Sequence, residues 1–334
     1  MMQQSKSVKL AILKVLQELD TPAGAARIVQ HLSSEGANLQ PRTIRFYLLQ
    51  MDREGWTKTV SRRRGRELTA KGRDELAHAN IIEKVGFISS RIDALSYRMT
   101  FRNSAGVGTL IANVSTIEKS NLLRALEYMN PVFSRKLAMG NRLAVAREGA
   151  SLAGFNVPKG RVMLGTVCSV TVNGILLAER IPVTSRFGGL VEIRDGKPVR
   201  FVELIAYSGT TIDPLEFFIN AGMTRVRECA KTGSGIVGAS FREVPAVALD
   251  DVRRIGKEME RQGLGGLLAL GQPNQPLLDI PVAEGRCGMI VLGGMNPIAA
   301  LREAGVLVTI QSLAGLDECS TFQPFQSLRN RYPG

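Results

Sequence analysis

Along the first eighty positions, apolar residues recur at helical spacing and then change period. Val8, Ile12, Val15, Leu16 and Leu19 fall on one face of a helix over 7–19. Thr21 and Pro22 read as an N-cap and a proline at the first position of a second helix. Ala25, Ile28, Val29 and Leu32 form its buried stripe, and Gly36 closes it. Pro41 opens a third helix, with Ile44, Tyr47, Leu48 and Met51 turned inward and Gly55 at its end. Arg42, Phe46 and Arg53 then face outward, Thr43 and Arg45 lie on the flanks, and Leu49 shares the outer arc. After Gly55 the period drops to two: "WTKTV" (56–60) reads as a strand, "ELT" (67–69) as its return and "AKGRDELAHA" (70–79) as a helix. Three helices, a strand, a loop, a strand and a helix give the order of a winged helix-turn-helix over residues 1–80.

Charge gives that order a purpose. The loop between the two strands places Arg62, Arg63, Arg64 and Arg66 within five positions. Residues 1–80 hold 14 Lys/Arg against 8 Asp/Glu, a net of +6, whereas residues 81–334 hold 29 against 22, a net of +7. Arginines on a hairpin tip meet phosphates or the negative potential of a narrow minor groove. The expected partner is double-stranded DNA, with Arg42, Thr43, Arg45 and Phe46 on the major-groove helix and Arg62, Arg63, Arg64 and Arg66 on the wing. A protein-docking winged helix is the alternative, and salt-dependent binding to duplex DNA separates the two.

The pattern beyond residue 81 repeats itself. A strand (108–115), a helical stretch (117–137), two strands (142–146 and 162–169), a short helix (171–180) and a strand (182–193) are followed by the same order. The second copy runs 235–241, 248–262, 266–271, 287–294, 296–304 and 306–316. Gly160-Arg161 aligns with Gly285-Arg286 and Val183-Thr184 with Val308-Thr309, and one inserted residue then aligns Gly189-Leu190 with Gly315-Leu316. Each copy spells βαββαβ, which predicts a duplicated ferredoxin-like fold in which each copy closes its own four-stranded sheet. The pseudo-repeats span about 105–193 and 235–318, joined by residues 194–234, where Asp195-Gly196 reads as a hairpin turn and Asp213-Pro214 as a helix start. The fold class is α+β.

Composition narrows the chemistry. Hydrophobic residues make up 44% and charged residues 22%, the balance of a globular protein. No run approaches 18 apolar residues, and the lysine-broken N-terminal stripe is an amphipathic helix, so no membrane partner is expected. Four scattered cysteines without paired spacing point away from a zinc site or disulfide framework and toward a reducing, cytoplasmic setting. Both histidines, His31 and His78, lie in the first quarter, so the larger part lacks the commonest general base. Neither a catalytic nor a metal site is expected. Gly233, Gly235 and Gly238 in "TGSGIVG" fit neither a P-loop nor a dinucleotide fingerprint and read as turn glycines. What remains is hydroxyls and arginines, a set suited to holding a small anion.

The stretches "VCSVTVNGILLAERIPV" (167–183), "FGGLVEI" (187–193), "AYSGTTIDPLEFFINAGMT" (206–224) and "GIVGASFREVP" (235–245) resemble the NrpR family of nitrogen-regulatory repressors. The resemblance covers a winged helix followed by one regulatory domain. It implies a repressor of nitrogen-assimilation genes that 2-oxoglutarate, an allosteric effector rather than a cofactor, releases from DNA; because winged helices commonly pair to read two half-sites, a homodimer is expected. Burying two carboxylates needs guanidinium and hydroxyl donors. Arg186 and Arg242 are the candidates for the carboxylates, and Thr166, Cys168, Ser169, Ser208, Thr210 and Thr211 for the remaining hydrogen bonds. A regulator with another effector, or an enzyme-like keto-acid-binding domain fused to a winged helix, are the rival readings.

Overall fold

The computed structural model of the chain describes residues 2–19, 21–34, 40–61, 63–76 and 87–332. They fall into two compact units, Met1–Gly86 and Phe87–Gly334. Gly36, Arg62 and His78 lie outside the described residues.

In the first unit, α1 (Met2–Leu19), α2 (Ala25–Ser34) and α3 (Pro41–Glu54) bury Ile12, Leu16, Ile28, Leu32, Ile44, Leu48 and Met51 in one core. Pro41 stands in the first turn of α3, and Gly55, at φ 76°, ends it in the left-handed region. β1 (Thr57–Ser61) and β2 (Gly65–Leu68) pair antiparallel as the wing, and α4 (70–76) returns Leu76 to the core. The start of α2 differs from the expectation: it begins at Ala25 rather than at Pro22. Ala23 is taken by the wing, exchanging both backbone hydrogen bonds with Arg66 at 2.9 and 3.0 Å. Gly65, at φ 90°, permits that approach, because a Cβ there would stand 2.2 Å from the Ala23 carbonyl oxygen.

The second unit opens with α5 (Ile88–Arg98), a helix the repeat pattern does not contain. The first repeat is β3 (Thr109–Glu118), α6 (Leu122–Ser134), β4 (Arg142–Arg147), the small hairpin β5 (Ser151–Leu152) and β6 (Phe155–Asn156), β7 (Arg161–Val167), α7 (Thr171–Ala178) and β8 (Thr184–Arg194). β9 (Lys197–Ala206), α8 (Pro214–Asn220) and α9 (Val226–Thr232) connect it to the second. That repeat is β10 (Gly235–Pro245), α10 (Leu249–Arg261), β11 (Leu267–Leu270), β12 (Arg286–Leu292), α11 (Asn296–Glu303) and β13 (Thr309–Glu318), followed by β14 (Gln323–Pro324) and α12 (Phe325–Asn330). Asp195 and Gly196, both at positive φ, make the two-residue turn between β8 and β9.

The sheets do not close as the repeat order predicts. One runs β13-β3-β7-β4-β14 and the other β11-β12-β10-β8-β9. Each has the ferredoxin-like order, but the fourth strand comes from the other copy: β13 completes the first sheet and β8 the second. Duplicated units offer the same vacant edge beside their first strands, so the fourth-strand pattern does not distinguish its own sheet from its neighbour's. The buried helices α7 and α11 precede the exchanged strands. Their seats repeat one contact. The Thr171 hydroxyl bonds both the N–H and C=O of Ile111, and the Asn296 amide bonds both of Gly238.

The residue inserted in the second copy is absorbed by a bulge. Opposite β10, β8 carries one extra residue, Arg186; opposite β3, β13 carries two between Gln311 and Gly315. The glycines of "TGSGIVG" have structural roles. Gly233 caps α9 at φ 86°, while Gly235 and Gly238 sit where backbone and Asn296 leave no room for a Cβ.

Candidate functional site

In the winged-helix unit, α3 presents Arg42, Arg45 and Phe46 to solvent, with Thr43 half-buried between them. Phe46 is 57% exposed and packs edge-on to Tyr47. Leu49, also exposed, extends this face with an apolar side chain. Arg63 and Arg64 stand exposed at the wing tip, where the Arg64 N–H donates to the Ser61 hydroxyl and tightens the turn. Arg66 departs from the expectation. Its guanidinium donates to Asp52 at 2.8 Å, and Asp52 also accepts from Thr57 at 2.6 Å. Asp52 thereby locks the wing to α3, and Arg66 is an internal brace rather than a free contact. His31 pairs with Glu18 across α1 and α2.

The effector candidates divide in the same way. Arg242, on β10, is completely buried. Its guanidinium donates to the Ser169 carbonyl at 2.8 Å and the Ser169 hydroxyl at 3.1 Å, while Nε has no partner among the described residues. No carboxylate pairs with it there, and burial pulls its pKa down. A buried cation without an acid is costly unless something compensates it. Beside it lies a cavity of about 10 Å3, room for one water molecule, lined by Asn113, Cys168, Ser169, Tyr207 and Asp213 among others. Burial raises the Cys168 thiol to about 12 and lifts Tyr207 above its ordinary range, so both stay neutral donors. Burial also raises Asp213 to about 6. Thr166 is buried behind the cavity and accepts from Asn113 at 3.4 Å.

Arg186 is not brought to this place. It forms a short ion pair with Glu243, lies over the Phe187 ring and is half-exposed. Ser208 and Thr211 are exposed, and the Thr210 hydroxyl bonds Ile212 within its own turn. A roomier pocket of about 430 Å3 lies between the C-terminal ends of α6 and α10, floored by Phe133, Leu267, Leu292 and Phe325. None of the sequence-derived effector candidates lines it.

Family comparison decides what this arrangement belongs to. The model of the NrpR regulatory domains NRD1 and 2 matches residues 85–324, and that of the ribonuclease R winged-helix domain matches residues 10–76. The chain belongs to the NrpR family. It is 32% identical over 314 residues to the global nitrogen regulator NrpRI of Methanosarcina mazei, covering 94% of this chain and 96% of that one. It is 28% identical over 319 residues to the global nitrogen regulator NrpR of Methanococcus maripaludis, covering 95% of this chain and 55% of the relative. The crystal structure of a nitrogen repressor-like protein from Methanococcus jannaschii superposes with a TM-score of 0.62 at 26% identity, over 72% of this chain and 99% of that one.

Within the NrpR domain, the sequence reading missed Asn113, Tyr207 and Asp213. Asp213 was legible as the N-cap of α8, where it accepts from the Leu215 and Glu216 N–H groups. Nothing local marked it as part of the site, because convergence with Arg242 requires elements from both sheets. Among the described residues, no helix is long and apolar enough to cross a membrane.

Proposed function

We propose that this chain is a DNA-binding repressor of nitrogen-assimilation genes that 2-oxoglutarate releases from its operators. The observation that carries the reading is the combination, in one NrpR chain, of an exposed basic recognition face and a buried guanidinium that lacks an acid. Arg42, Arg45 and Phe46 on α3 meet base edges, and Arg63 and Arg64 meet phosphates. Arg242 takes one carboxylate of the effector, with Ser169 and Cys168 beside it and Thr166 supporting the wall through Asn113. Homodimers place two winged helices on two half-sites. By linkage, DNA weakens effector binding by the factor with which effector weakens DNA binding.

Fluorescence anisotropy on a duplex from upstream of nitrogen-assimilation genes tests this, with 2-oxoglutarate and succinate as titrants. Release by 2-oxoglutarate and not by succinate is expected; tight binding that ignores both acids would remove this effector. Replacing Arg63 and Arg64 by Ala is expected to weaken binding to every duplex and lower the salt slope by about two. Arg45→Ala is expected to weaken operator binding more than binding to random DNA, and an equal loss on both would make Arg45 a phosphate contact.

A further inference from the structure

A single exposed stripe runs down α3. Arg42, Arg45, Phe46, Leu49 and Arg53 are all exposed, and at 3.6 residues per turn they fall within an arc of about 100°. Leu49 stands near the middle of that arc, one turn beyond Arg45 and Phe46 and one turn before Arg53. It is 53% exposed and Phe46 is 57% exposed. The two are neighbours at i, i+3, on the side of the helix away from Ile44, Leu48 and Met51, which fill the core. The ground around this apolar pair is purely cationic. Arg42, Arg45 and Arg53 form no ion pair among the described residues. Both acids of α3 are committed elsewhere: Asp52 holds Arg66 and Thr57, and Glu54 holds Lys9 at 2.6 Å.

Three arginines without an acid suit a polyanion, and that charge makes the leucine informative. Its side chain has neither donor nor acceptor, so it can bond neither a phosphate nor the polar edge of a base. The major-groove edges of the four bases carry one apolar group, the C5-methyl of thymine. We propose that Leu49, flanked by Phe46, is a specificity residue of α3 that packs on thymine methyl groups in the major groove. The assignment rests on the DNA-binding reading above and names a base that the chain selects. Arginine on the same helix favours guanine, through its O6 and N7 acceptors, so Leu49 supplies a preference that Arg42 and Arg45 do not. In the free protein the leucine stands in water; against a methyl group, both lose apolar surface to solvent, and that burial favours the thymine-containing site.

The test uses duplexes that the full chain selects from a randomised library, resynthesised with deoxyuridine in place of each thymidine of the selected site in turn. Deoxyuridine pairs as thymidine does and lacks only the methyl group. Binding is read by fluorescence anisotropy without effector. The unaltered chain is expected to lose affinity by about 3- to 10-fold when a contacted thymidine is replaced. Leu49→Ala removes an exposed side chain and keeps a strong helix former. It is expected to bind thymidine and deoxyuridine alike at those positions, with the salt dependence of binding unchanged because no charge is lost. Arg63→Ala is expected to weaken binding to both duplexes and to leave thymidine preferred. Equal affinity of the unaltered chain for thymidine and deoxyuridine at every position would overturn the assignment. Discrimination that survives in Leu49→Ala would overturn it as well. A library that yields no sequence bound more tightly than random DNA would overturn sequence reading by α3, and this assignment with it.

Discussion

Asp213 is buried with its carboxylate bonded to two N–H groups, and the two influences oppose each other. The hydrogen bonds favour the charged form, but desolvation outweighs them and raises the pKa from 3.8 to about 6. An acid whose pKa is raised on folding holds its proton more tightly in the native state. Its contribution to stability is therefore greatest below pH 4 and declines as pH rises through 6, by about 3 kcal/mol in all. Asp213→Asn keeps the N-cap acceptor and has no proton to release. Urea unfolding of the regulatory unit at pH 4.5 and pH 7 is expected to show the variant losing less stability than the unaltered chain over that interval. Identical pH dependence in the two would mean that Asp213 titrates as an exposed carboxylate.

Gly65 shows how an element depends on one residue. Its positive φ and the 2.2 Å approach of Ala23 leave no place for a side chain, so Gly65→Ala must push the wing off the start of α2. Hydrogen exchange is expected to show lost protection at Ala23 and Arg66 with α3 retained, together with weaker DNA binding; unchanged protection would exclude the strained contact. Elements with strong local signals were legible in the sequence. Pro41 and Gly55 bound α3, Asp195-Gly196 turns the hairpin, and Asp213-Pro214 starts α8. The start of α2 was not, because Ala23 answers to Arg66, forty-three positions away. α5 was also missed: its buried stripe is narrow and its N-cap, Phe87, makes no side-chain capping bond. Arg186 and Arg242 looked alike in sequence, one arginine within a strand and the other directly after one. The bulge that places Arg186 beside Glu243, and the exchange that brings β8 against β10, separate their fates.

At the scale of the molecule, the exchanged strands make the two repeats one structural body. β8 belongs by sequence to the first copy and completes the second sheet, and β13 does the reverse. The winged helix has a separate core. Calorimetry is expected to resolve one transition for the whole regulatory unit and a separate one for the winged helix. A chain ending at residue 305, lacking β13, should lose the regulatory transition entirely; two independent repeat transitions in the full chain would contradict the exchange. The same connectivity bears on how the protein is made. β3 waits for a partner about two hundred residues downstream, so its sheet stays open until β13 has left the ribosome. The winged helix, complete within its first eighty-six residues, is free to fold long before that moment. A nascent chain would therefore hold a finished winged helix before its NrpR regulatory domain exists.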